Sequence, residues 1–156
     1  MPKVALDRKV PDFALPAAGA PQAWSLKAAA GRKLVIFFYP KDMTSGCTLE
    51  ARGFRDHAAA FRRAGAAIVG ISRDSVASHE KFTLKEQLPY PLLSDADEKV
   101  CRLFDVIQEK SLYGRKYLGI ERSTFLIDAA GVLRREWRKV KVKGHVEEVL
   151  EAAKSL

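Results

Sequence analysis

Only two cysteines occur in the 156 residues, and one stands in a setting suited to reactivity: "YPKDMTSGCTLE" (39–50) surrounds Cys47 with Thr, Ser, Gly and Lys. A structural cysteine is usually a small buried hydrophobe, inert because apolar surroundings keep its thiol protonated. Cys47 instead falls just inside an expected helix start. There Thr44 or Ser45 can cap the helix, and unpaired N–H groups together with the positive end of the helix dipole favour a thiolate, the nucleophilic form. A cation would complete such a site, and Lys41, Arg52, Arg55 and, far along the chain, Arg122 are available.

Three thiolate chemistries compete. Disulfide exchange needs C-x-x-C, and no second cysteine stands near Cys47. Phosphate-ester cleavage needs a loop of amides closed by an Arg, whereas in "CTLEAR" Arg52 falls on a helix beside Glu50 and cannot close a cradle. Attack on a peroxide needs a thiolate, donors that polarise the O–O bond and a pocket shielded from solvent. "PKDMTSGC" offers each part: Pro40 to cover the sulfur, the Thr44 hydroxyl to exchange hydrogen bonds with the peroxide oxygens, and the amides of Gly46 and Cys47 aimed into the same space.

These residues must be held by the elements around them. "KLVIFFY" (33–39), a continuous apolar run ended by Pro40, predicts a strand buried on both faces. Apolar positions at Phe54, Ala58 and Phe61 predict one helix from Thr44 to Gly65, so Cys47 lies beyond the carboxyl end of a strand, where active sites of open α/β sheets sit. "AAIVGIS" (66–72) and "YPLLSD" (90–95) read as strands, and "SVASHEKFTLKEQ" (75–87), "ADEKVCRLFDV" (96–106) and "HVEEVLEAAKSL" (145–156) as helices. "DFALP" and "QAWSL" read as short extended pieces, "STFLID" and "VLRREW" as a hairpin around "AAG", and "YGRKYLG" (113–119) as a loop. The sum is an α/β fold over residues 1–156, one domain with a mixed central sheet and helices on both faces. His57, His79 and His145 read as exposed helix residues without a role.

The net charge of +8 would suit a nucleic acid, yet the one dense basic stretch, "RREWRKVKVK" (134–143), alternates with Val140 and Val142 as a strand with one solvated face does. With no aromatic residue in it beyond Trp137, no specific nucleic-acid partner is expected. Cys47 and Cys101 are far apart and the histidines show no ligand spacing with them, so neither metal nor other cofactor is expected. "MPKVALDRKVPDFALP" carries charges and no apolar run, which argues against a signal peptide or membrane segment and for a cytoplasmic setting with free thiols.

"YPKDMTSGCTLEARGFRD" (39–56) resembles the peroxiredoxin signature P-x-x-x-T-x-x-C, with Glu50 following, and "YGRKYLGIERSTFLIDAAG" (113–131) resembles the Q-type branch, also called bacterioferritin-comigratory protein. The similarity runs from "VPDFALP" to the last helix. It implies a thioredoxin-like three-layer sandwich and a thiol peroxidase, acting on hydrogen peroxide and organic hydroperoxides, whose cysteine becomes a sulfenic acid. Carried over by position, Cys47 is the peroxidatic cysteine, Thr44 and Pro40 shape its pocket, Arg122 of "IERSTF" is the cation over the sulfur, and Glu50 holds that Arg. Arg122 also stands at the start of an apolar strand, where a guanidinium can stabilise a thiolate without losing its proton; an exposed Arg paired with Glu121, and an exposed Glu50, are the plainer alternatives.

Many members of this branch carry a resolving cysteine five residues after the first, where this chain has Arg52. Cys101 is the only internal substitute, and it reads equally as a half-buried structural thiol at the margin of a helix. A one-cysteine cycle resolved by an external thiol (thioredoxin, or glutathione with glutaredoxin) is therefore expected, with a two-cysteine cycle through Cys101 or a non-turnover redox sensor as alternatives. The expected state is a monomer or weak dimer.

Overall fold

The run "KLVIFF" folds as the middle strand of a five-stranded mixed sheet, and its side-chain parity organises the molecule. The computed structural model describes residues 3–156. In chain order the elements are β1 (Ala14–Leu15), β2 (Trp24–Ser25), β3 (Lys33–Phe38), α1 (Ser45–Asp56), α2 (Ala58–Arg63), β4 (Ala66–Ser72), α3 (Val76–Glu86) and β5 (Leu92–Ser94). There follow α4 (Lys99–Leu103), β6 (Ile107–Leu112), β7 (Arg115–Ile120), β8 (Ser123–Ile127), β9 (Leu133–Trp137) and α5 (His145–Lys154). The main sheet has the order β5-β4-β3-β8-β9, with β3, β4 and β5 parallel and β8 and β9 antiparallel to their neighbours.

Successive side chains of a strand point to opposite faces. Leu34, Ile36 and Phe38 therefore enter one core layer, with Phe13, Val100, Cys101, Phe104 and Phe125; Val35, Phe37 and Tyr39 enter the other, with Cys47, Phe54, Phe61, Phe82 and Val149. The first layer is covered by α4 and the β1–β2 ribbon, the second by α1, α2, α3 and α5. Phe54 stacks on Phe37 at 4.6 Å between ring centroids, and full burial of such a ring stabilises by about 2–3 kcal/mol. It fixes the angle of α1 against the sheet. On the same helix, a Cβ on Gly53 would stand 2.8 Å from Val146 Cγ2, so only glycine lets α5 approach this closely.

Three expectations need correction. The helix expected over 44–65 breaks at His57, whose Nδ1 donates to the Gly53 carbonyl at 2.9 Å and ends α1 before α2 begins. "YGRKYLG" is no loop: it turns the β6–β7 hairpin and forms most of β7, paired from Ile107↔Ile120 to Leu112↔Arg115. The basic strand stops at Trp137, and 138–143 carry no strand. Among the described residues, no helix is long and apolar enough to cross a membrane.

Candidate active site

The chain leaves β3 at Phe38, passes a loop and enters α1 at Ser45, bringing Cys47 into the first turn of that helix. Met43 adopts the left-handed conformation, φ 64°, which turns the loop tightly before the helix. Thr44 occupies the N-cap position without capping: its hydroxyl donates to the Lys41 carbonyl at 2.9 Å. The lone pairs of Thr44 Oγ1 stay open as acceptors, and no described residue accepts from the amides of Gly46 or Cys47. Pro40 is half-buried at the start of the same loop.

Cys47 is 1% exposed, and Arg122 donates from Nη2 to its Sγ at 3.2 Å. The same guanidinium donates from Nη1 to Glu50 Oε1 at 2.7 Å, so one rigid fork ties together a sulfur and a carboxylate one helical turn apart. A Cβ on Gly46 would come within 3.2 Å of Arg122 Nη2; glycine leaves the guanidinium room to lie over the helix start. Two of the other candidate cations point elsewhere: Arg52 and Arg55 both bind Glu86, through its carboxylate and its carbonyl. Arg122 is not the exposed residue paired with Glu121 that local reading allowed, nor is Glu50 at the surface; it is wholly buried.

Cys101 lies away from this cluster. It is fully buried in the opposite core layer, with its amide on Asp95 Oδ2 at 2.6 Å, and burial followed by the Asp95 charge pushes its thiol well above the ordinary range. The half-buried position expected for it is corrected accordingly.

The AhpC/TSA family model matches residues 6–136. The chain belongs to this family. The peroxiredoxin is 52% identical to Peroxiredoxin Bcp of Xanthomonas campestris pv. campestris over 92% of its own length and 89% of the relative's. It superimposes with a TM-score of 0.87 and 50% identity on the bacterioferritin comigratory protein of Xanthomonas campestris, whose alkyl peroxide reduction has been studied through trapped intermediate and ligand complexes, covering 92% of this chain and 90% of that one. A Xylella fastidiosa PrxQ variant gives a TM-score of 0.91 at 38% identity, covering 97% and 96%. These likenesses agree with the thioredoxin-like α/β architecture and the thiol peroxidase class read from the sequence.

Two features of the peroxiredoxin's site escape a sequence reading. Lys110 on β6 is near enough to Arg122 and Cys47 to feel both charges; partial burial, then Arg122, hold its ammonium below the usual value, with Cys47 acting the other way. The second is a buried network behind the loop. Tyr39 donates to Asp42 Oδ1 at 2.6 Å, His79 Nδ1 meets Asp42 Oδ2 at 2.7 Å, Ser78 donates to the same oxygen at 2.8 Å, and the Asp42 amide donates to Asp74 at 2.8 Å. His79, expected at the surface, is 0% exposed, and His145 is also buried, its Nε2 2.8 Å from Thr124 Oγ1. Burial lowers the His145 pKa to about 4.

Glu50 gives the site a pH signature. Complete burial outweighs the attraction of Arg122 and raises its carboxyl from 4.5 to about 7, and its Oε2 has no hydrogen-bond partner among the described residues. The folded state thus holds a proton that the unfolded state has released, so this contribution to stability is full below pH 4.5 and lost as pH rises to about 7. At 1.36 kcal/mol per unit the loss is about 3 kcal/mol. Glu50→Gln is expected to flatten that slope, measured by urea unfolding between pH 4.5 and 8; an unchanged slope would assign the proton to another group.

Proposed function

We propose that the chain reduces hydrogen peroxide and organic hydroperoxides through Cys47, by a one-cysteine cycle completed by an external thiol in a reducing cytoplasm. The observation that carries this reading is the 3.2 Å contact from Arg122 to Cys47 Sγ, made while the same guanidinium is braced on Glu50. In the first half of the cycle the Cys47 thiolate attacks one peroxide oxygen. An S–O bond forms, the O–O bond breaks, the sulfur loses two electrons, and the departing alkoxide or hydroxide takes a proton to leave as alcohol or water. Arg122 and the free amides of Gly46 and Cys47 stabilise the charge as it moves from sulfur to oxygen, Thr44 Oγ1 accepts from the peroxide O–H, and Pro40 limits the approach of water.

In the second half an external thiol, from thioredoxin or from glutathione with glutaredoxin, condenses with the sulfenic acid, releasing water and forming a mixed disulfide that a further thiol reduces. The burial of Cys101 on the far side of the sheet supports this route over internal resolution. The test is peptide mass analysis after one equivalent of hydrogen peroxide with a sulfenic-acid trap, on wild type and Cys101→Ser. Trapped sulfenic acid on Cys47 in both, with many turnovers once a thiol reductant is supplied, is expected. A Cys47–Cys101 disulfide absent from the variant would overturn the one-cysteine cycle, and a single turnover with reductant present would overturn the peroxidase itself.

A further inference from the structure

β5 is three residues long and pairs with β4 only from Gly70↔Leu92 to Ser72↔Ser94. Over Ala66–Val69 the outer edge of β4 has no strand beside it among the described residues. The cause is in the sequence: continuing the parallel ladder by two residues would require the residue at 91 to donate to the Ile68 carbonyl, and Pro91 has no N–H. Backbone parity then leaves specific groups open. The Gly65 and Ile71 carbonyls accept from Lys33 and Tyr39 on the β3 side, whereas the Gly70 amide and the Ser72 carbonyl bond outward, to Pro91 and Asp95. Ala66 and Ile68 share the outward parity, and their N–H and C=O groups bond to no described residue.

A groove of about 310 Å³ runs along this edge. Its lining includes Trp24, which packs with one core layer, Arg62 of α2 in the other, Arg32 ahead of β3, and Tyr90 between Pro89 and Pro91. Arg32 and Arg62 are both exposed, and neither pairs with a carboxylate among the described residues. Because β3 and β4 are parallel, the groove lies at their amino ends and Cys47 beyond the opposite end of β3.

We propose that this groove docks an extended, acidic segment of a partner protein, which adds to the Ala66–Val69 edge as a strand and sets carboxylates against Arg32 and Arg62. An open strand edge asks for alternating donors and acceptors, which a peptide backbone supplies; an isolated anion would satisfy the arginines and leave the Ile68 carbonyl without a donor. The two arginines select acidic side chains, and the partly exposed Trp24 offers flat apolar surface to the residues between them.

The probe is a fluorescein-labelled acetyl-Val-Glu-Val-Glu-Val-Glu peptide, titrated with the full-length protein and followed by anisotropy. Saturable binding is expected, weakened about tenfold by the double variant Arg32→Ala, Arg62→Ala. Binding should vanish when alternate probe amides are N-methylated or glutamates are replaced by lysines. Peroxide turnover of the double variant should match wild type, which shows that it is folded. Absence of saturable binding, equal affinity in the double variant, or equal affinity of the N-methylated probe would overturn the proposal, the last because charge alone would then account for binding.

Discussion

Arg122→Ala is expected to lower kcat/KM for hydrogen peroxide by about 10²–10³-fold, the usual cost of removing one preorganised donor from a site of developing charge. The guanidinium bonds Cys47 Sγ at 3.2 Å and Glu50 at 2.7 Å, and its side chain is only 16% exposed, so water does not readily replace it. Alanine removes the charge that follows the electron pair from sulfur to leaving oxygen. Arg122→Lys keeps a cation but not the planar fork, and one ammonium cannot bridge both partners in the same geometry, so about a tenfold loss is expected. Because alanine also strips Glu50 of its partner, the comparison belongs in a Glu50→Gln background, where no buried carboxylate is left bare. Rates within twofold of the parent there would mean that the guanidinium does not act on the reacting sulfur.

The second large effect is on stability. His79→Ala is expected to cost about 3 kcal/mol, from the cavity the ring leaves and the buried acceptors it leaves without a partner. The imidazole is enclosed: Nε2 faces the Leu93 carbonyl at 2.9 Å, and Nδ1 faces the Asp42 carboxylate at 2.7 Å. Removing the ring leaves Asp42 to Tyr39 and Ser78 alone, inside a protein whose interior does not solvate a carboxylate. Asp42→Ala should cost a similar amount. The double variant should cost much less than the sum, since the second change then removes a group already without its partner. Urea unfolding midpoints at constant m-value decide this; additive losses would show that the two side chains stabilise the fold separately. Asp42 lies two residues before Thr44, so the variants should also lose peroxide turnover as the loop relaxes.

The strands and helices with strong patterns were legible. "KLVIFF" and "AAIVGIS" are too apolar for anything but central strands, and Ser75 caps α3 by accepting from the Ser78 amide at 3.1 Å. The β6–β7 hairpin was hidden by its turn. Tyr113 and Gly114 have φ of 50° and 77°, the signs of a primed turn, yet Tyr is a poor residue for that conformation and masks the usual Asn-Gly signal. Ile107–Leu112 reads "IQEKSL", polar between its two ends, so no period-2 alternation marked it as a strand. His79 was misread because its partner Asp42 is 37 residues away, and local hydropathy says nothing of a charge supplied by another element. The Arg122–Cys47 contact spans 75 residues. Sequence chemistry pointed to a cation, but only the family resemblance said which.

The sheet that sends Cys47 and Cys101 into opposite layers also sets the kinetic order of the proposed cycle. An internal resolving cysteine would make sulfenic-acid consumption first order, a property of the molecule alone. With a five-stranded wall between the two thiols, that step becomes bimolecular, and its half-life follows the concentration of the reducing thiol around the protein. The fraction of molecules in the oxidised state is then a running measure of peroxide influx against reductant supply.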